Sequence, residues 1–212
     1  IAKYPVTNAQ YAKFIDAGGY KEKKWWTPDG WKQREGDKWT EPRYWQQDPW
    51  NRADHPVVGV SWYEAAAFCS WLCEVSGENI ALPTEQQWQR AAQAKKDGSD
   101  SGWAYPWGEA WEVGQCNNSV VPEDSNFTTP VTQYEGKGDS PCGVVDLSGN
   151  VWEWCLTQYN SGKEDINGTD VRVLRGGSWG NNNPDLFRTV YRSGSDPNNW
   201  YYVRGFRISR SL

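Results

Sequence analysis

The chain has 212 residues, 22 of them basic and 27 acidic, for a formal net charge of −5. That length suits a single domain with a real core, or at most two small ones. No run approaches the roughly 18 consecutive apolar residues of a membrane span, no targeting signal opens the chain, and the acidic balance excludes a basic face for nucleic acid.

Capping boxes mark three helices. Thr7 with Gln10 opens the first, whose stripe is Tyr11, Phe14 and Ile15 and whose stop is Gly18 and Gly19. Residues 21 to 52, with six Trp and three Pro, read as a long functional or self-packed loop. Ser61 with Glu64 opens the best-marked helix, Ser61 to Ser76, which buries Ala65, Phe68, Trp71 and Leu72 and ends at Gly77. Thr84 with Gln87 opens a short third one, with Trp88 and Ala91 inward. Beyond residue 95 the helical period disappears. Val144 to Leu147, Val151 to Leu156, Val171 to Leu174 and Val203 to Ile208 alternate with Gly, Asn and Pro clusters, as short strands do. The expectation is one α+β domain over 1–212 with much irregular coil.

Sixteen Trp, 11 Tyr and 5 Phe argue against disorder, because each aromatic buries about 150–250 Å². A chain that opens on Ile and holds no Met is expected to lack an upstream part. The five cysteines, Cys69, Cys73, Cys116, Cys142 and Cys155, suit neither a zinc knuckle nor a disulfide framework. Cys69 and Cys73 stand one helical turn apart, but the only histidine, His55, lies outside their helix, so core packing is the better reading.

Seven phrases occur in order: PVTNAQYAKF (5–14), HPVVGVSWYEAAAFCSWL (55–72), ALPTEQQWQRAA (81–92), YPWG (105–108), LSGNVWEW (147–154), RGGSW (175–179) and GFR (205–207). Together they resemble the formylglycine-generating enzyme family of sulfatase-modifying-factor domains. The resemblance implies a variant of the C-type-lectin-like fold. That family's oxidase chemistry uses two cysteines, whose places fall approximately at Asn181 and Leu186 here, and no cysteine follows Cys155. Thiolate is the nucleophile and soft-metal ligand of that chemistry, so the expectation is a protein that is not an enzyme and requires no cofactor. The related iron-dependent sulfoxide synthases bind iron through histidines of an extra helical domain, and neither is found in these residues. The resemblance also implies structural calcium at Asp146, Gly149, Val151 and Glu153, with a weaker second site at Asn117 and Asn118 and partners around Asp124 to Asn126. The alternative is that Asn150 and Glu153 only cap turns. Arg175, Arg188, Arg192 and Arg207 are expected in fixed ion pairs.

The segment 179–207 is similar to the variable proteins of diversity-generating retroelements, where adenines of Asn codons are randomised. Gly180, Asn181, Asn182, Leu186, Phe187, Tyr191, Ser193, Gly194, Ser195, Asp196, Trp200, Tyr201, Tyr202 and Val203 are therefore the candidate ligand-binding residues. Tyr and Trp beside Ser, Gly and Asn is paratope composition. The resemblance implies a receptor-like protein whose partner is a protein or other macromolecule. The patch is expected to face solvent over Trp152, Trp154, Arg188, Arg192 and Phe206. The alternatives are a divergent oxidase of the family, using Cys142 or Cys155, and a regulatory module.

Overall fold

A computed structural model describes residues 1–95, 97–120 and 126–211. All three capping boxes form. Helix α1 (Asn8–Asp16) starts at Thr7, α3 (Trp62–Ser76) at Ser61, and α4 (Glu85–Gln93) at Thr84. In each, the cap side chain accepts from the third backbone amide and the third side chain reaches back. Gly77 closes α3 in the left-handed conformation, φ 72°.

The 21–52 stretch is not all loop. Helix α2 (Pro28–Asp37) runs within it, capped by Thr27 with Pro28 in the first turn. Its only buried residue is Gly30, where a Cβ would lie 3.0 Å from the Tyr63 ring, so no apolar stripe announces it.

The strands are β1 (Asn79–Ala81), β2 (Trp152–Gln158), β3 (Arg172–Arg175), β4 (Arg192–Ser195), β5 (Arg204–Gly205) and β6 (Ser209–Ser211). One sheet has the order β4-β3-β2-β5, with β5 parallel to β2 and the other pairs antiparallel. A two-stranded sheet joins β1 to β6. Val144 to Leu147 is buried coil rather than a strand, tied by Val145 N donating to Lys3 O at 2.9 Å. The run expected over 203–208 shortens to β5 because the chain then leaves the sheet to bond the first residues, Val6 N donating to Phe206 O and Ala2 N to Ile208 O.

Two cores flank the four-stranded sheet. Tyr11 stacks on Phe68, 5.4 Å between ring centroids, and both meet Phe206 between α1, α3 and the sheet. Trp88, Leu147, Cys155 and Val173 form the second, under α4. No described helix is long and apolar enough to cross a membrane. The fold is α+β, of the C-type-lectin-like type.

Candidate functional site

β2 carries Glu153 into the interior, fully buried. Its Oε1 accepts from Arg207 Nη2 at 2.6 Å, and its Oε2 accepts from Arg207 Nε and Trp88 Nε1, each at 2.7 Å. Arg207 also donates to the carbonyls of Ala2, Lys3 and Val145. Every donor of this buried guanidinium has an acceptor, the condition under which a buried ion pair is tolerated. The other arginines of the family phrases are paired as well: Arg175 and Arg192 share Glu85 at 2.9 and 2.8 Å, and Arg188 meets Asp185 at 3.2 Å. Arg188, half exposed, lies at the surface and not beneath the face.

The residues read as calcium ligands divide. Glu153 does not fit a cation, since Arg207 and Trp88 occupy its oxygens. Asp146 and Asn117 fit one: both are buried, and Asp146 Oδ1, Asn117 Oδ1 and the neighbouring Thr129 Oγ1 have no hydrogen-bond partner. Asn150 links them, donating to Asp146 Oδ2 at 2.9 Å and accepting from Asn117 Nδ2 at 3.2 Å and Thr129 N at 3.0 Å. Burial pushes the Asp146 carboxyl up to about 7. An oxygen-only donor set of this kind would hold a hard cation such as calcium. Gly149, at φ 84°, lets the Asn117 backbone approach, for a Cβ there would fall 2.4 Å from Asn117 O. Val151 is buried. Asn118 turns away, its amide bonded to Cys116 O and Val120 N. Asp124 lies outside the described residues, and Asn126 is exposed.

The C-terminal segment splits in the same way. Tyr191, Tyr201 and Tyr202 are 37%, 50% and 41% exposed. Gly180, Asn182 and Asp196 are also exposed, while Asn181, Leu186, Ser193, Trp200 and Val203 are partly buried. Tyr202 stacks on Trp50 at 5.5 Å and sits 5.7 Å from Trp179, so the 21–52 stretch builds part of this face. Three candidates depart from an open surface. Phe187 is fully buried against Trp111, 5.2 Å between centroids. Ser195 is buried, accepting from Arg204 and Asn199. At Gly194 a Cβ would stand 2.7 Å from the Tyr159 ring, which bars any larger residue. Asn181 Oδ1 accepts from Ser178 N and Oγ, and Leu186 packs on the main core, so these two positions are occupied by structural roles.

Sequence reasoning did not single out two hollows. One, of about 530 Å³, lies between residues 37–43, Gly59 and Trp200, with Glu64 at its lining. Tyr20 and the Ser61 amide hydrogen-bond Glu64, and burial pushes its carboxyl up to about 7. The other, of about 200 Å³, is lined by Trp152, Leu174, Ser193, Tyr201, Val203 and Arg204. All five cysteines are free thiols. Cys155 is buried and burial pushes its thiol up, while Cys142 donates to Ala94 O at 2.8 Å.

This sheet, with its long coil and closing GFR segment, is the architecture of the sulfatase-modifying factors. The sulfatase-modifying factor enzyme 1-like domain matches residues 1–212, and the chain belongs to that family. It is 31% identical, over 99% of its length, to a hercynine oxygenase of Mycobacterium tuberculosis, of which it covers 52%. The chain thus spans about half the length of the hercynine oxygenases it matches. PvdO from Pseudomonas aeruginosa superposes with a TM-score of 0.69 at 24% identity, over 99% of this chain and 79% of that one. Treponema denticola variable protein 1 gives 0.64 at 21%, over 97% and 82%. These two likenesses show the fold alone.

The relatives correct two expectations. That the protein is not an enzyme is overturned by the likeness to oxygenases along nearly the whole chain; loss of a cysteine pair removes one chemistry of the family, not all. That no cofactor is required falls with it, since dioxygen chemistry depends on a metal or redox cofactor. The described residues do not fit a transition-metal centre: no three His, Cys, Asp or Glu side chains converge among them, and the Nδ1 of His55 is bonded to Thr128 Oγ1 at 3.0 Å.

Proposed function

We propose that residues 1–212 recognise the substrate of an oxidative reaction, in the manner of an oxygenase of this family, on the face built by the C-terminal segment. The observation that supports this is the division of donors. The face has a hollow with aromatic walls and one cationic side chain, whereas no metal-ligating cluster lies among the described residues. A concave surface that sets aromatic walls beside a few polar groups suits recognition. Hercynine, from the relatives' name, is the first substrate to test. The protein would be titrated with hercynine and binding followed by calorimetry. Saturable binding is expected; no binding at millimolar hercynine would overturn the reading.

A second reading rests on the exposure of Tyr191, Tyr201 and Tyr202. In it the face is diversified by a retroelement to hold a protein or other macromolecular ligand, with rigid rings as anchors. The encoding DNA tests it. A near-repeat of the codons for 179–207 that differs at adenines, beside a reverse transcriptase gene, supports the reading, and its absence from the locus removes it.

A further inference from the structure

We propose that Arg204 is the carboxylate-binding residue of a small-molecule site that takes carboxylates carrying a single aromatic ring, with Trp152 and Tyr201 as the walls against the ring. The inference rests on the reading of the C-terminal face as the substrate site and names the class of substrate.

The arginines in and beside this sheet divide by what spends their donors, and Arg172 in β3, which meets no carboxylate among the described residues, gives its Nη groups to the carbonyls of Leu156, Asp165 and Asn167. Arg175, Arg192 and Arg207 each meet a carboxylate within 2.9 Å. Among the described residues no carboxylate lies within ion-pair distance of Arg204. Its one hydrogen bond runs from Nη1 to Ser195 Oγ at 2.9 Å. A guanidinium has five N–H donors in a planar fork matched to a carboxylate, so most of this fork has no acceptor among the described residues. The side chain is nonetheless held. Its guanidinium carbon lies 4.6 Å from the Tyr201 ring centroid and 5.5 Å from that of Trp154. A cation fixed by rings and one hydroxyl is ordered before a ligand arrives, which lowers the entropic cost of binding.

The hollow beside it sets the size and shape of the rest. Its volume of about 200 Å³ equals about seven waters at roughly 30 Å³ each, room for a single ring and its carboxylate. Trp152, Leu174 and Val203 give apolar walls and Ser193 one hydroxyl. Tyr191 stands at the Trp152 ring, 6.1 Å between centroids. The negative charge of Asp196 also acts on Arg204, from beyond ion-pair distance, and disfavours a dianion such as phosphate.

The test titrates the wild-type protein with benzoate, its neutral isostere benzamide, and inorganic phosphate, following tryptophan emission and heat. Benzoate is expected to bind at least tenfold more tightly than benzamide, and phosphate not to displace it. Arg204→Gln should abolish the preference for benzoate with the melting transition retained. Equal binding of benzoate and benzamide to the wild type would overturn the site without reference to any variant, as would benzoate preference surviving in a folded R204Q or displacement by phosphate. The two readings separate cleanly. Benzoate held through Arg204 with no binding of hercynine sinks the oxygenase reading and keeps this site. Hercynine bound with unchanged affinity by R204Q does the reverse.

Discussion

Arg207 and Arg204 are three residues apart and occupy opposite kinds of surroundings. Arg207 is wholly buried and every one of its donors is matched, two ends of one carboxylate and three carbonyls. Arg204 has one hydroxyl and two rings. The contrast separates scaffold from recognition within a single strand crossing. A closed polar network fixes the backbone, and an unspent fork is free to meet a ligand.

Breaking the closed side should have the largest effect. Arg207→Met leaves Glu153 buried without its cation, and we expect a loss of about 3–5 kcal/mol by urea denaturation. A loss below 1 kcal/mol would show that the network is not what holds β2 to the C-terminal segment.

Among the described residues, the buried carboxyls of Glu64 and Asp146 meet no guanidinium at ion-pair distance. Burial raises both Glu64 and Asp146 to about 7, above the 4.5 and 3.8 they have unfolded. The folded state therefore binds their protons more tightly, so their stabilisation is full below pH 4 and is lost as pH rises through 7. For Glu64 this amounts to about 3 kcal/mol at most. The melting temperature should fall between about pH 4 and 7 and level off above, and Glu64→Gln should flatten part of the slope. Millimolar calcium should remove the share of Asp146, and Asp146→Asn should abolish that rescue. A flat wild-type profile would contradict both burials.

On the open side the effects shrink. Tyr202→Ser removes stacking on Trp50 and Trp179 and should cost about 1 kcal/mol, whereas Tyr201→Ser should stay within about 0.5 kcal/mol. Thermal melts of the two variants check the order. Arg204→Gln should cost about 1 kcal/mol at most, the worth of one hydrogen bond and a half-buried ring contact. A cost near that of Arg207→Met would erase the distinction between the two arginines.

How much of this the sequence reveals follows from the range of each interaction. Capping boxes are local, so Thr7, Ser61 and Thr84 mark helix starts correctly. Helix α2 escapes because Trp31 and Gly30 give it no stripe, although Thr27 and Pro28 were readable as a start. The pairing of β1 with β6 joins Asn79 to Ser211, and no local pattern encodes such a contact. Beyond Gly180 the elements are too short for a period to tell inside from outside, so Phe187 and Ser195 read like their exposed neighbours. The sequence marks Arg204 only as one position that adenine changes in an Asn codon can reach; that it meets no carboxylate among the described residues is a property of the surroundings and not of the residue.

Glu85 shows what this arrangement permits. Its single carboxylate, at the start of α4, moors Arg175 and Arg192 together, while Glu153 moors Arg207 at the far end. The backbone between Arg192 and Arg207 is thus a span anchored on two piers, and neither pier borrows a side chain from the roadway. Within that roadway Ser195 and Phe206 are buried, and Gly194 and Gly205 admit no side chain, since a Cβ would meet the Tyr159 ring at 2.7 Å and Val57 O at 2.6 Å.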